Sequence, residues 1–247
     1  MDRIDTIEVY DQIIDALKNK KPYSAIRFND GEAIMLGYPE YTDRQTITNV
    51  WRGHFGTNKF TEEKINNLKN ILVDSCHKSD VIGLPLPQNI DKKFYGLPEK
   101  HLVDDYDLLK NAKASYASFH RELHEKSLYN NILTEVDKVY CINGRNVKDL
   151  IESTFGVECE VVQITPQIQN QFTKERHNNH PEIYDEISER VAEKSKGNLW
   201  FIGAGFYGKG YCTTIKENGG IAVDIGSMFD AWLGIRTRGF INKTYKL

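Results

Sequence analysis

Asn198-Leu199-Trp200-Phe201-Ile202-Gly203-Ala204-Gly205-Phe206-Tyr207-Gly208 holds an apolar run of strand character that passes directly into the pattern G-x-G-x-x-G. The residues through Tyr211 to Glu217 then read as a helix, and Ile221 to Val223 as the next strand, ending at Asp224. A strand, a tight glycine turn, a helix and a second strand make a parallel crossover unit. Glycines at such an exit let a backbone approach a pyrophosphate at a helix N-terminus, with a later acid for a ribose hydroxyl. A methyl donor or a sugar nucleotide fits the same loop, and so does a plain tight turn with no ligand. Only one further strand follows Gly208, which counts against a dinucleotide.

Outward from this unit the alternation continues. Ser24 to Phe28, Val81 to Leu84, Lys138 to Ile142 and Glu160 to Ile164 are short apolar runs of buried-strand type, and the strand at Ile221 extends to Ile225. Thr6 to Asn19 places Ile7, Tyr10, Ile14 and Leu17 on one helical face. Thr61 opens T-E-E-K-I, a hydroxyl followed by acids that suits a helix start, and Pro181 opens a helix carrying Ile183, Ile187 and Val191. Asn49 to Gly56 reads as a loop whose aromatics cover a nucleobase or fill the core. The class is α/β, a Rossmann-like, mostly parallel sheet with helices on both faces. No repeat or Pro/Gly/Ser linker divides residues 1–247, which read as one domain.

Composition agrees. With 40% hydrophobic residues, 247 residues suffice for a core without disulfides. A net charge of −3 argues against nucleic acid as the main partner but permits an anionic small molecule in a local basic pocket. Cys76, Cys141, Cys159 and Cys212 form no C-x-x-C pair, which suits buried thiols in a reducing compartment. No run approaches the length of a membrane span and the N-terminus lacks signal-peptide order, so a cytoplasmic location is expected.

The first strand leaves through Arg27-Phe28-Asn29-Asp30-Gly31-Glu32, with a short helix expected from Ala33. In extended backbone, residues i and i+2 point the same way, so Asp30 and Glu32 could present two carboxylates to one Mg²⁺ or Mn²⁺ while Gly31 permits the bend. Arg27 beside them suits a diphosphate held with its metal. An Asp-Gly turn with a capping carboxylate is the plain alternative.

Arg27 to Glu32, taken together with Ile215-Lys216-Glu217-Asn218-Gly219-Gly220-Ile221-Ala222-Val223-Asp224-Ile225-Gly226-Ser227, resembles the bacterial GT-D type glycosyltransferases. The likeness continues through Ser118-Phe119-His120-Arg121-Glu122-Leu123 and Asn143-Gly144-Arg145, and so covers nearly the whole chain. It implies a Rossmann-like fold, a nucleotide-sugar donor, often a UDP-sugar, and a D-x-E metal motif that falls on Asp30 and Glu32. It also implies transfer to a glycan, glycoprotein or lipid-linked acceptor in cell-surface assembly on the cytoplasmic side. The family commonly has Gly where this chain has Asn29, which bears on how the backbone meets the phosphates.

On that reading Arg27, Asn29, the Gly203 and Gly205 amides, Lys209 and Arg236 face the phosphates. The acceptor hydroxyl needs a base, for which Asp224, Asp230 and His120 are the candidates. Asp224 could instead bind a ribose, and His120 could be structural. The tail Arg236 to Leu247, with four basic residues, is either a peripheral approach to a lipid diphosphate or anionic membrane surface, or a packed terminus. Two other readings stay open: an NAD(P)-dependent oxidoreductase or methyltransferase using Gly203 to Gly208, and a non-catalytic nucleotide-sugar-binding subunit.

Overall fold

The computed structural model describes residues 2–57, 59–86, 101–165, 180–239, 241 and 243–247. Among them the elements run α1 (Thr6–Asn19), β1 (Tyr23–Arg27), α2 (Asp30–Leu36), α3 (Arg44–Phe55), α4 (Glu62–Lys78), β2 (Val81–Leu84), α5 (Val103–Asp105), β3 (Lys113–Tyr116), α6 (Phe119–Glu125) and α7 (Leu128–Leu133). They continue with β4 (Lys138–Asn143), α8 (Lys148–Phe155), β5 (Glu158–Gln163), α9 (Tyr184–Glu193), β6 (Leu199–Gly203), α10 (Tyr207–Glu217), β7 (Ile221–Asp224) and α11 (Met228–Trp232).

The seven strands form one sheet in the order β3-β2-β1-β7-β6-β4-β5, and every pairing is parallel. Parallel sheets need cover on both faces, so successive strand residues bury into opposite layers. On β6, Trp200 and Ile202 join a core with α4, α9 and α10. Leu199 and Phe201 join the opposite core with α1, α6, α7 and α11. The first strand sits between β2 and β7, with Ala25 opposite Val223, which brings the acidic turn and the glycine-rich exit to one edge.

Local chemistry starts α1 and α4 where the sequence places them. Asp5 Oδ1 accepts the Glu8 N–H at 2.9 Å while Glu8 returns a bond to the Asp5 N–H, a capping box at the head of α1. Thr61 caps α4 by accepting the Lys64 N–H. The helix expected from Pro181 begins three residues later, at Tyr184.

One expectation changes, one strand is added and one open reading narrows. Asn49 to Gly56 belongs to α3, where Asp43 Oδ1 accepts the Thr46 N–H at 2.7 Å, Ile47, Trp51 and Phe55 line the buried face, and Gly56 terminates the helix at φ 67°. An edge strand, β3, stands at Lys113–Tyr116, which the sequence reading passed over. The end of the tail is packed, with Tyr245 stacked on His124 at 5.3 Å between ring centroids and the Leu247 N–H reaching the Trp232 carbonyl, while its beginning, Arg236 to Arg238, lines a cavity. Phe240 and Asn242 of that tail lie outside the described residues. No helix among the described residues is long and apolar enough to cross a membrane.

The center of the sheet supplies a test. Trp200 is fully buried and stacked on Tyr140 at 4.7 Å, while its indole N–H has no partner among the described residues. Trp200→Ala should cost about 3–5 kcal/mol. Trp200→Phe keeps much of the packing and removes the orphaned donor, worth about 1–3 kcal/mol. It should therefore lose well under half as much in urea denaturation.

Candidate active site

At the carboxyl edge of the sheet four charged side chains from four elements close on one another. Arg27, at the end of β1, donates from Nη2 to Asp224 Oδ1 at 3.1 Å and from Nε to the Asp224 carbonyl at 3.2 Å. Lys209, in the first turn of α10, sets Nζ 3.1 Å from Asp224 Oδ2 and 2.5 Å from Glu32 Oε1. Glu32 Oε2 accepts the Asn29 N–H at 3.1 Å. All four side chains are mostly buried, at 16% exposure or less, and two cations balance two anions. Buried charge is tolerated only in such pairing.

The pairing fixes the protonation states. Burial alone would raise Glu32, but the Lys209 ammonium outweighs it and holds the carboxyl below its usual range. Burial opposes the ionised form of Asp224 as well, and Arg27 and then Lys209 overcome it. Lys209 is pushed down by burial and lifted more strongly by the two carboxylates, so it stays charged. His120 is held neutral, first by burial and then by Arg27 and Arg121. A guanidinium can only donate, so the Nε2 that faces Arg27 at 3.2 Å carries the lone pair, and Nδ1–H donates to the Ala117 carbonyl at 2.9 Å.

A cavity of about 540 Å³ opens in front of this cluster, within the usual range of ligand sites. It gathers Arg27, Asn29, Asp30, Glu32, Gly203 and Gly205, and also Lys209, Asp230 and Arg236, from the sequence expectations. The structure adds Arg145, Arg238 and Ser227. Arg145 follows the strand exit Asn143-Gly144, a position the sequence marks, and Arg238 belongs to the basic tail that the sequence also marks.

Several expected roles are corrected. Asp224 lines neither this cavity nor its smaller neighbour; held by two cations and buried, it is a poor base and is not placed for a ribose. His120 lines only the smaller cavity and its lone pair is engaged by Arg27. Asp230 does face the larger cavity, with Oδ1 accepting from Arg145 Nε and Oδ2 from Thr237 Oγ1, each at 2.7 Å. Gly203 answers to packing, because a Cβ there would meet Phe229 at 2.6 Å and the Gly226 carbonyl at 2.9 Å. Gly226, at φ +51°, is just as constrained, since a Cβ would fall 1.8 Å from Arg27 Nη2.

The acidic pair also differs from the expectation. Helix α2 begins at Asp30, so residues 30 and 32 are about 200° apart around the helix axis rather than on one side. Both oxygens of Glu32 are engaged, and an ion shared with Asp30 would lie against the Lys209 ammonium. Glu32 therefore does not fit as a second metal ligand. Asp30 lines the cavity, with burial first and Glu32 second raising its pKa, against the Gly31 N–H and Arg238. It fits as a single carboxylate of the kind that holds Mg²⁺ or Mn²⁺ together with substrate phosphates. Among the described residues no group of three or more His, Cys, Asp or Glu side chains is arranged to hold a metal by itself.

A model of the GT-D fold-like domain matches residues 4–232. The chain belongs to the GT-D-like family. Solved structures agree in fold. A structure of the domain of unknown function 1792, described as having a distinct glycosyltransferase fold, aligns with a TM-score of 0.56 at 16% identity, over 94% of this chain and 81% of that one. A selenomethionine form of the same domain aligns with a TM-score of 0.56 at 14% identity, over 94% and 81%. A glycosyltransferase of that domain type from Streptococcus sanguinis aligns with a TM-score of 0.51 at 17% identity, over 91% and 82%. No curated protein matches. For a GT-D-like chain, family and fold together point to a glycosyltransferase.

The charge cluster of this GT-D-like site is testable by itself. Lys209→Met leaves Glu32 and Asp224 without their shared cation and should cost about 3–5 kcal/mol. Adding Glu32→Gln should return roughly 1–3 kcal/mol as a coupling in the double-mutant cycle. Because Glu32 and Asp224 are held low, their pairing contributes above the unfolded-state values near ~4 and is lost as pH falls through the folded values. The deficit of Lys209→Met in urea denaturation should be full at neutral pH and narrow in acid.

Proposed function

We propose that this chain is a glycosyltransferase that binds a nucleotide-diphosphate sugar, with UDP as the nucleotide, in the larger cavity. It transfers the sugar to a hydroxyl of a glycan, glycoprotein or lipid-linked acceptor in bacterial cell-surface assembly. The observation that carries this reading is the set of cations, Arg145, Arg236, Arg238 and Lys209, lining one cavity with Asp30 in a GT-D-like fold.

In the transfer the bond from the anomeric carbon to the phosphate oxygen breaks, and its electron pair leaves on the diphosphate. The acceptor oxygen forms the new bond and its proton passes to a base. Negative charge therefore grows on the diphosphate, and cations held in place before the reaction stabilise it without reorganising. Arg145 is held by Asp230, and Lys209 by Glu32 and Asp224, so neither has to be recruited. Of the three candidate bases Asp230 is the one on the larger cavity, and each of its oxygens keeps a lone pair beyond the hydrogen bond it accepts. Mn²⁺ or Mg²⁺, held by Asp30, would add Lewis-acid stabilisation of the leaving diphosphate.

A dinucleotide or methyl donor is less well supported. The first glycine of the G-x-G-x-x-G run is accounted for by the Phe229 and Gly226 contacts, and the acid twenty residues on is buried in ion pairs.

Incubation with UDP-, GDP- and dTDP-sugars and Mn²⁺ should give slow hydrolysis of one donor class. Arg145→Ala should lower it by about a hundredfold or more, the scale of losing one preorganised donor. Asp30→Ala should remove the response to Mn²⁺. Stabilisation by NAD(P) or a methyl donor, with no nucleotide sugar bound or cleaved, would replace this reading with the other.

A further inference from the structure

The wall of the larger cavity changes character away from the acidic turn. At that turn a Cβ on Gly31 would stand 3.1 Å from the Phe206 ring, and from there a series of rings runs on. His54 stacks on Phe206 at 3.9 Å between centroids, Phe206 meets Phe55 at 6.1 Å, Phe55 meets Tyr207 edge-on at 5.9 Å, and Tyr207 stacks on His180 at 4.8 Å with the planes 7° apart. His54, Phe55, Phe206 and His180 all line the cavity. Burial holds both imidazoles neutral, with a pKa of about 3 for His54 and about 4 for His180. The cavity thus joins an uncharged aromatic stretch to the cations described above, the two surfaces that a nucleobase and a diphosphate need.

We propose that His180 selects the nucleobase of the donor: it donates from Nδ1 to a carbonyl oxygen on the base edge far from the glycosidic bond, and so accepts uracil, thymine or guanine and refuses cytosine or adenine. This rests on the reading of the larger cavity as the nucleotide-sugar site.

The tautomer of His180 is the first support. Tyr211 is fully buried, and burial pushes its hydroxyl far above the usual range, so the proton stays on it. Among the described residues that hydroxyl has one hydrogen-bond partner, His180 Nε2 at 2.7 Å. A buried O–H that donated nowhere would be left unsatisfied, so the hydroxyl donates and Nε2 accepts. In a neutral imidazole the proton then sits on Nδ1, which has no hydrogen-bond partner among the described residues. Glu182, whose carboxylate draws on the ring, is itself engaged by Lys64 at 2.7 Å. His180 is only 8% exposed, so one donor, in a plane set by Tyr207, is offered at the cavity wall.

Placement is the second. The series of rings starts at Gly31, beside Asp30, and ends at His180. A nucleotide laid along it with its phosphates at the cations turns toward His180 the part of the base farthest from them, position 4 of a pyrimidine or position 6 of a purine. Uracil, thymine and guanine carry a carbonyl oxygen there, whereas cytosine and adenine carry an amino group. An N–H set against an amino group leaves two donors opposed and unpaired, a mismatch that discriminates strongly.

The test is calorimetric titration of the intact chain, in Mn²⁺, with UDP, CDP, GDP, ADP and pyrophosphate. In whichever pair the site takes, the keto member, UDP or GDP, should bind about tenfold or more tightly than the amino member. The variant His180→Phe with Tyr211→Phe keeps a ring against Tyr207 and leaves no hydroxyl orphaned, so it should fold. It should weaken the keto member to the level of the amino member, while pyrophosphate binds as in the parent. Tyr211→Phe alone frees the tautomer and should reduce the preference in part. Equal binding of keto and amino members by the parent, a preference unchanged in either variant, or a matching loss of pyrophosphate binding would each overturn the proposal and leave the donor site standing. Failure of every nucleoside diphosphate to bind would remove the donor reading, and the proposal with it.

Discussion

The ammonium of Lys209 between Glu32 and Asp224 is the contact on which the rest of the site depends. It ties α10 to α2 and β7, and through Asp224 it fixes Arg27 at the end of β1. Two parts of the chain far apart in sequence, β1 with α2 and α10 with β7, are thereby held together at the carboxyl edge of the sheet by charges buried out of reach of water. Parallel strand pairing alone would bring these ends close, but it would not set the direction of any side chain. The cluster does, and it accounts for the short distance between the G-x-G-x-x-G turn and the acidic turn: the residue after the third glycine reaches the last acid of D-x-E.

The glycines follow from the same closeness. Gly203 admits the Phe229 ring and the Gly226 carbonyl, and Gly226 admits the guanidinium of Arg27. Both permit two strand exits to pack against each other with a charged side chain running over them. Gly203 and Gly226 in this chain thus serve the close packing of neighbouring strand exits.

Much of the fold was legible in the sequence, because parallel strands buried on both faces leave continuous apolar runs. Val81 to Leu84 and Thr6 to Asn19 have the same bounds in structure and sequence, although the buried face of α1 runs through Val9, Ile13 and Ala16 and leaves Ile7 exposed. The edge strand β3 was not legible, since with only Ala114 and Ser115 buried it leaves no apolar run. Helix α3 was hidden by Thr, Asn and Gly, although Asp43 and the spacing of Ile47, Trp51 and Phe55 carried its signal. The site was legible as a set of residues more than as a set of roles. Asp30, Glu32, Lys209 and Asp224 were all singled out, but whether an acid meets a metal, a lysine or a substrate depends on the one turn by which α2 starts earlier than expected, and on charges brought in from elsewhere in the chain.

The four thiols have a use beyond packing. Cys76 and Cys212 lie in the layer that holds α4 and α10, and Cys141 and Cys159 lie in the opposite layer. Burial pushes Cys76, Cys141 and Cys212 away from the reactive thiolate. A labelling reagent can therefore reach these sulfurs only when a layer comes off the sheet. Mass spectrometry of the modified peptides would time the opening of each side separately, with no engineered probe, and reveal whether the two halves of the core part together or in turn.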